Sequence, residues 1–324
     1  MQHVVPAASV ERAPVSWLWR NRIPRGMLSL LFGRPGTGKS LFAAHLAAEV
    51  SRGGDVIFAT HEDPLRQVAR PRLEAAGAML ERVHFWTPTL PEETQRLADV
   101  ILEREAALVV IDPIAAHLSV SVYNDQEVRT ALTPLARVAE ETDAAILLLH
   151  HPIKNPAASA HPLLAVGGSG GGLAGAARVA YLWGRSPDDP DERVLACVKS
   201  NLGPEAKALA FELDIHEFDD VGDIPRLVNI GECEVTTQAL LAANQATAKK
   251  VPEKLARACE FLCGYLRLGP RPPAEIKEDA GQHGIAWMTI RRAADELDVI
   301  RANAGPKSTW GLPPELLALV KEDE

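Results

Sequence analysis

Gly33-Arg34-Pro35-Gly36-Thr37-Gly38-Lys39-Ser40 is the stretch on which the fold turns. It fits G-x-x-x-x-G-K-[ST] at every fixed position. Its flanks fit as well: residues 27–32 (MLSLLF) form a short apolar run suited to a strand, and residues 41–50 (LFAAHLAAEV) have the composition of a helix. A glycine-rich turn between a strand and a helix N-terminus is a phosphate cradle. The glycines let backbone N–H groups converge on an anion, the helix dipole favours negative charge, and the lysine adds a point charge. Gly33, Arg34, Pro35, Gly36, Thr37, Gly38, Lys39, Ser40 and Leu41 are therefore expected to hold the phosphates of a nucleoside triphosphate, with the Ser40 hydroxyl offered to Mg²⁺.

Outward from this loop, short apolar runs alternate with helical stretches over residues 27–213: 55–60 (DVIFAT), 83–86, 107–111, 144–149, 179–183 and 194–198. That alternation predicts an α/β domain with a mostly parallel central sheet, whose ligands bind at the carboxyl ends of the strands. Val128, Ala131, Leu132, Leu135, Val138 and Ala139 recur at helical spacing, so residues 124–141 read as an amphipathic packing helix with a bend near Pro134. Residues 208–213 and 226–230 add a strand pair, and the polar, Ala-rich stretch 236–251 suits a boundary.

A cradle alone does not cut a phosphoanhydride; hydrolysis also needs a metal-positioning carboxylate and a group that orients water. Asp112 ends the run Leu108-Val109-Val110-Ile111, where it would hold Mg²⁺ together with Ser40; an aspartate there can also cap a turn. Glu62, in Thr60-His61-Glu62-Asp63-Pro64, falls on the same sheet edge as Lys39 and is read as the group that polarises water, with Asp63 as the alternative. His150 closes the run 144–149 and is read as a γ-phosphate sensor, with His151 as its competitor. Residues 152–172 lack a period and end in GGSGGG; this loop, with Lys154, suits either a grip on DNA or a plain connector.

The last 70 or so residues differ in pattern. Helical spacing over 253–266, a proline-led stretch from 273 to 280 and a third short helix over 287–297 precede two short strands, 299–302 and 308–312, around Gly305-Pro306. Three helices and a two-stranded turn outline a winged helix. Its third helix would carry Thr289, Arg291 and Arg292 toward a DNA groove, with Lys307 in the wing. Nine Lys/Arg against eight Asp/Glu over residues 253–313 lend DNA little electrostatic support, and a protein adaptor is the other reading.

The 324-residue chain has 47% hydrophobic residues, enough for about two domains with sizeable cores. A formal charge of −9 argues against a surface that coats nucleic acid indiscriminately. Cys197, Cys233, Cys259 and Cys263 are too few and too scattered for a disulfide framework, and no partner pair completes a metal site with Cys259 and Cys263. No apolar run is long enough to span a bilayer and no signal pattern opens the chain, so a cytoplasmic protein is expected.

Taken together, GRPGTGKS, HEDP with RPRLEAAG after it, LVVIDP, LLLHHPIK, GGSGGGLAGAARVAYLW and VKSN stand in the order found in the RepA-like branch of RecA-type P-loop ATPases. Residues 14–215 resemble that family, which includes hexameric replicative helicases of plasmids and many phage and mobile-element ATPases. The resemblance implies a RecA-like core that binds ATP and Mg²⁺ through Lys39, Ser40 and Asp112, with Glu62 as catalytic carboxylate and Arg72 as a site-supporting basic residue. It further implies Arg178 as an arginine finger that reaches a neighbouring subunit's nucleotide, and Lys199 as a second interface cation. The expected organisation is an N-terminal segment packing on the core (1–26), a RecA-like ATPase domain (27–245), a linker (246–252) and a winged-helix-like domain (253–324). The expected function is a ring-forming DNA motor, a hexamer that acts on single- or double-stranded DNA. The alternative is a nucleotide-switched regulatory, defence or loading protein, and a third is a filament-forming recombination ATPase. The appended module and the glycine-richer loop depart from the minimal plasmid helicases.

Overall fold

The computed structural model describes residues 5–122, 124–151, 172–189, 191–245, 253–302, 308–314 and 316–317. Two short strands, β1 (Trp17–Trp19) and β2 (Ile23–Pro24), pair with each other ahead of the main sheet. The six parallel strands are β3 (Leu28–Phe32), β4 (Asp55–Thr60), β5 (Val83–Phe85), β6 (Ala106–Asp112), β7 (Ala145–His150) and β8 (Val179–Arg185). Antiparallel strands β9 (Glu192–Ser200), β10 (Ala208–Phe218) and β11 (Gly222–Cys233) extend the sheet to nine, in the order β11-β10-β9-β8-β3-β7-β6-β4-β5.

Every residue of β3, β6 and β7 is buried, because helices cover both faces of the sheet. Successive side chains alternate between faces. Ile146 and Leu148 join one core cluster, and Ala145, Leu147 and Leu149 join the other. The helices of this unit are α1 (Lys39–Ser51), α2 (Arg70–Ala75), α3 (Thr94–Arg104), α4 (Ile114–His117), α5 (Asp125–Thr142), α6 (Gly172–Ala176) and α7 (Thr237–Gln245). Asn124 caps α5 by accepting from the N–H groups of Gln126 and Glu127, and all six periodic residues of that helix are buried. Pro134 sits inside α5.

The N-terminal segment is tied down through aromatic and backbone contacts. Trp19 stacks on Phe42 of α1 at 6.3 Å, Ile23 is 1% exposed, and the Tyr181 hydroxyl donates to the Arg22 carbonyl at 2.8 Å. At the other end, the polar, Ala-rich stretch begins as helix α7 rather than as a connector. Leu240 on its inner face is fully buried, and the Asn244 amide oxygen accepts from the Arg185 N–H at 3.2 Å, so α7 packs on β8 and β9. Linker residues 246–252 lie outside the described residues.

Helices α8 (Glu253–Leu266), α9 (Pro273–Gln282) and α10 (Trp287–Glu296) precede strands β12 (Ile300–Ala302) and β13 (Thr309–Gly311), which pair antiparallel. They share a core cluster of their own, built on Leu255, Leu262, Ile276 and Ile290, with Trp287 stacked on Trp310 at 5.2 Å. No described helix is long and apolar enough to cross a membrane.

Candidate active site

Parallel strands bring their carboxyl ends to one edge, and the register decides which residues meet there. Phe32 pairs with His150 and Thr60 with Asp112, so the phosphate loop, Glu62, Asp112 and His151 all follow strand ends at that edge. The loop itself is tightly determined. A Cβ on Gly33 would lie 2.2 Å from the carbonyl oxygen of Trp183, so no other residue fits beside β8. Gly38 caps α1 at φ +88°, a left-handed conformation that side chains resist. The Thr37 hydroxyl donates to the Arg34 carbonyl at 2.7 Å, closing the turn on itself.

Lys39 is 4% exposed, and its ammonium donates to the carbonyls of Gly33 (2.8 Å) and Arg34 (3.1 Å) and to Nδ1 of His151 (2.8 Å). Burial lowers its pKa to about 8, against the attraction of Asp112 and Glu62. Asp112 moves the other way, pushed up to about 6 by burial, although a hydrogen bond from Ser40 and the charge of Lys39 oppose the shift. A lysine and a carboxylate held in a dry site beside a left-handed turn are short of both negative charge and metal. A triphosphate with a divalent cation supplies both, so the residues present fit that ligand. Among the described residues no group of three or more His, Cys, Asp or Glu could hold a metal by itself.

The two carboxylates after β4 part company. Asp63 forms an ion pair with Arg72 of α2, whereas Glu62 is largely exposed and its Oε2 lies 3.6 Å from Nε2 of His151. Arg72 thus engages Asp63, and Glu62 is the carboxylate whose charge acts on Lys39 by way of the His151 side. His151, not His150, bridges Lys39 and Glu62. Because Nδ1 accepts from an ammonium, the ring carries its proton on Nε2, and burial together with Lys39 lowers its pKa. His150 is 6% exposed as the last residue of β7, and its carbonyl accepts from the Gly33 N–H at 3.4 Å.

Arg178 and Lys199 lie at the opposite edge. The Arg178 N–H donates to the carbonyl of Leu28, the first residue of β3, whereas the phosphate loop follows its last. At about 3.3 Å per residue, that places roughly 16 Å of strand between Arg178 and its own protomer's cradle. Lys199 donates to the carbonyls of Ala174 and Ala177 at 2.6 and 2.7 Å, and burial and the neighbouring Arg178 charge lower its pKa. A cavity of about 530 Å³ beside them is lined by Arg129, Arg137 and Arg178.

Of the residues expected to meet DNA, Lys154 and Lys307 lie outside the described residues. Thr289 is 5% exposed in the module's own core and presents no side chain to a groove. Arg291 and Arg292 pair with Asp223 and Asp191 of the unit built on the nine-stranded sheet. Cys259 and Cys263 are free and half-buried.

Three supporting residues escape sequence reading. Trp183 Nε1 and Arg193 Nε both donate to the Thr37 carbonyl at 2.9 Å, and Arg34 donates to the Asn244 carbonyl of α7. Their only signals are a lone indole and an arginine inside apolar strands, and an asparagine late in an alanine-rich helix.

Comparison with known proteins bears on the same loop. A family model described as an AAA domain matches residues 2–157. The protein RecA of Rubrobacter xylanophilus is 35% identical over 96 residues, which cover 29% of this chain and 27% of that protein, so the chain spans about a quarter of that relative's length. Among solved structures, one described as an ATPase domain aligns with a TM-score of 0.46 and 14% identity, covering 59% of this chain and 81% of that one. The glycine-rich loop, the mostly parallel strand order and both sequence comparisons agree on a RecA-like α/β core, and the similarity to an AAA domain and to RecA extends over part of the chain.

Proposed function

We propose that this protein is an ATP-driven DNA motor of the replicative helicase or translocase kind, whose protomers assemble head to tail into a ring, a hexamer, with ATP hydrolysed between neighbours. One observation carries the reading: Arg178 lies at the sheet edge opposite Lys39, so it serves a cradle only if that cradle belongs to another protomer. Within one site, Lys39 and the loop amides hold the β- and γ-phosphates, and Glu62 polarises the attacking water. Mg²⁺ held by Ser40 and Asp112 would neutralise charge on the phosphate oxygens. His151 links Lys39 to Glu62 and moves when the γ-phosphate leaves. The neighbour's Arg178, with Lys199 beside it, stabilises charge on the transferred phosphoryl group.

Single-stranded DNA should raise ATP turnover, and particle mass in ATP and Mg²⁺ should correspond to a closed ring. Arg178→Ala should retain nucleotide binding while turnover falls by about 10³-fold or more. Undiminished turnover in that variant rejects the shared site. A second reading, a nucleotide-switched binding protein, is favoured by the ion pairs between the carboxyl-terminal module and the core. It requires slow hydrolysis indifferent to single strands and no strand displacement.

A further inference from the structure

Arg291 and Arg292 stand side by side on α10, and both face the ATPase core. Arg292 pairs with Asp191, just ahead of β9, and Arg291 Nη1 lies 2.6 Å from Asp223 Oδ2 on β11. At the start of α8, Lys254 pairs with Glu192 and lies 3.9 Å from Asp189 and 4.0 Å from Glu212. Three module cations therefore meet five core carboxylates across one contact. A carboxylate presents an arginine with the same kind of oxygen pair that a phosphate does.

The contact is built to yield. Arg291, Arg292 and Lys254 keep 34%, 33% and 52% of their side chains exposed, so salt screens the contact, most at Arg291 and Asp223, the latter 46% exposed, and least at the more buried Asp191 and Glu192. A polyanion can displace such carboxylates. Its form follows from the two indoles of the module: Trp287 and Trp310 are 9% and 7% exposed, so neither offers a face on which unpaired bases could stack. A duplex, recognised through its phosphates, fits the surface better than a single strand.

We propose that the basic face of α10 is a duplex-DNA contact surface that the ATPase core masks with Asp191, Asp223 and Glu192, so that module docking and duplex binding exclude each other. The inference needs no nucleotide, and its failure is therefore separate from any failure of the ATPase reading.

The test uses the full chain without nucleotide and a fluorescent mixed-sequence duplex, with small-angle X-ray scattering to follow docking. Asp191→Asn/Asp223→Asn should enlarge the radius of gyration and tighten duplex binding by about fivefold to tenfold, because more of the population becomes competent. Adding Arg291→Ala/Arg292→Ala to that background should erase the gain. Salt should weaken binding less steeply in the wild type than in the unmasked variant, because it also releases the mask. Glu192→Gln, which removes the partner of Lys254, should give a smaller gain by the same route and serves if the double variant melts early. Duplex affinity equal to wild type in folded, unmasked protein overturns the proposal. So does a gain that survives loss of both arginines, or one confined to a single-stranded probe.

Discussion

Lys39 shows how one residue carries both a structural debt and the chemistry. Its ammonium is buried against carbonyl oxygens and a neutral imidazole, an arrangement that satisfies its donors but leaves its charge poorly solvated. The consequence is a pKa near 8 in the free protein. Protonated lysine attracts phosphate and neutral lysine does not, so proton release above pH 8 must be reversed on binding. Nucleotide affinity measured without divalent cation should therefore fall as pH rises from 8 to 9, approaching tenfold per pH unit, while affinity between pH 7 and 7.5 stays nearly flat. Isothermal titration with EDTA present checks this. A flat profile to pH 9.5 would mean that Lys39 keeps its proton throughout and that burial does not set its charge.

At the scale of elements, the cradle is a loop held from behind by strands that never touch nucleotide. β8 supplies Trp183 and β9 supplies Arg193, and both bond to the carbonyl of Thr37. Arg193 is 6% exposed, and burial and Arg185 lower its pKa to about 10, so it occupies a site that resists its charge. Replacing it with methionine keeps the volume, removes one of two donors to Thr37 and strips Asp191 of a neighbouring positive charge. Nucleotide affinity should drop by about tenfold, near the loss of one charged hydrogen bond, while melting temperature changes little because a buried charge leaves with it. Equal affinity in Arg193→Met would show that Trp183 alone fixes the loop. This support was not legible in sequence, since it depends on the antiparallel pairing of β9 with β8 and joins residues 156 apart. What was legible is local: the loop spacing, the apolar strand runs, and the six buried residues of α5, each fixed by a period of two or 3.6. The choice between His150 and His151 fell between these cases. Adjacent histidines at a strand end exchange roles if the strand stops one residue earlier, and no local signal sets that residue. The helix α7 was hidden for a related reason, because its inner face rests on Leu240, Leu241 and Asn244 in an otherwise bland stretch.

Across the whole molecule, the groups that a shared site needs lie at opposite sheet edges. The phosphate-loop edge carries Lys39, Glu62, Asp63, Arg72 and Asp112; the opposite edge carries Arg178 and Lys199, with Arg129, Arg137 and Glu140 around the cavity there. A cradle on one edge and a guanidinium on the other fit a heterologous contact, which repeats until a rotation closes it. That geometry distinguishes a shared site from a private one by complementation. Lys39→Ala has a dead cradle and an intact Arg178, and Arg178→Ala has the reverse. Each alone should be inactive. Mixed in equal amounts under assembling conditions, they juxtapose an intact cradle and an intact Arg178 at about a quarter of the interfaces, so turnover should recover to roughly a quarter of wild type if interfaces act independently. Recovery well below that, with mass measurement showing mixed particles, would mean that neighbouring sites fire only in concert. Wild-type turnover in Arg178→Ala alone, with about half that turnover in the equal mixture, would place the whole reaction within one protomer and remove the reason for a ring.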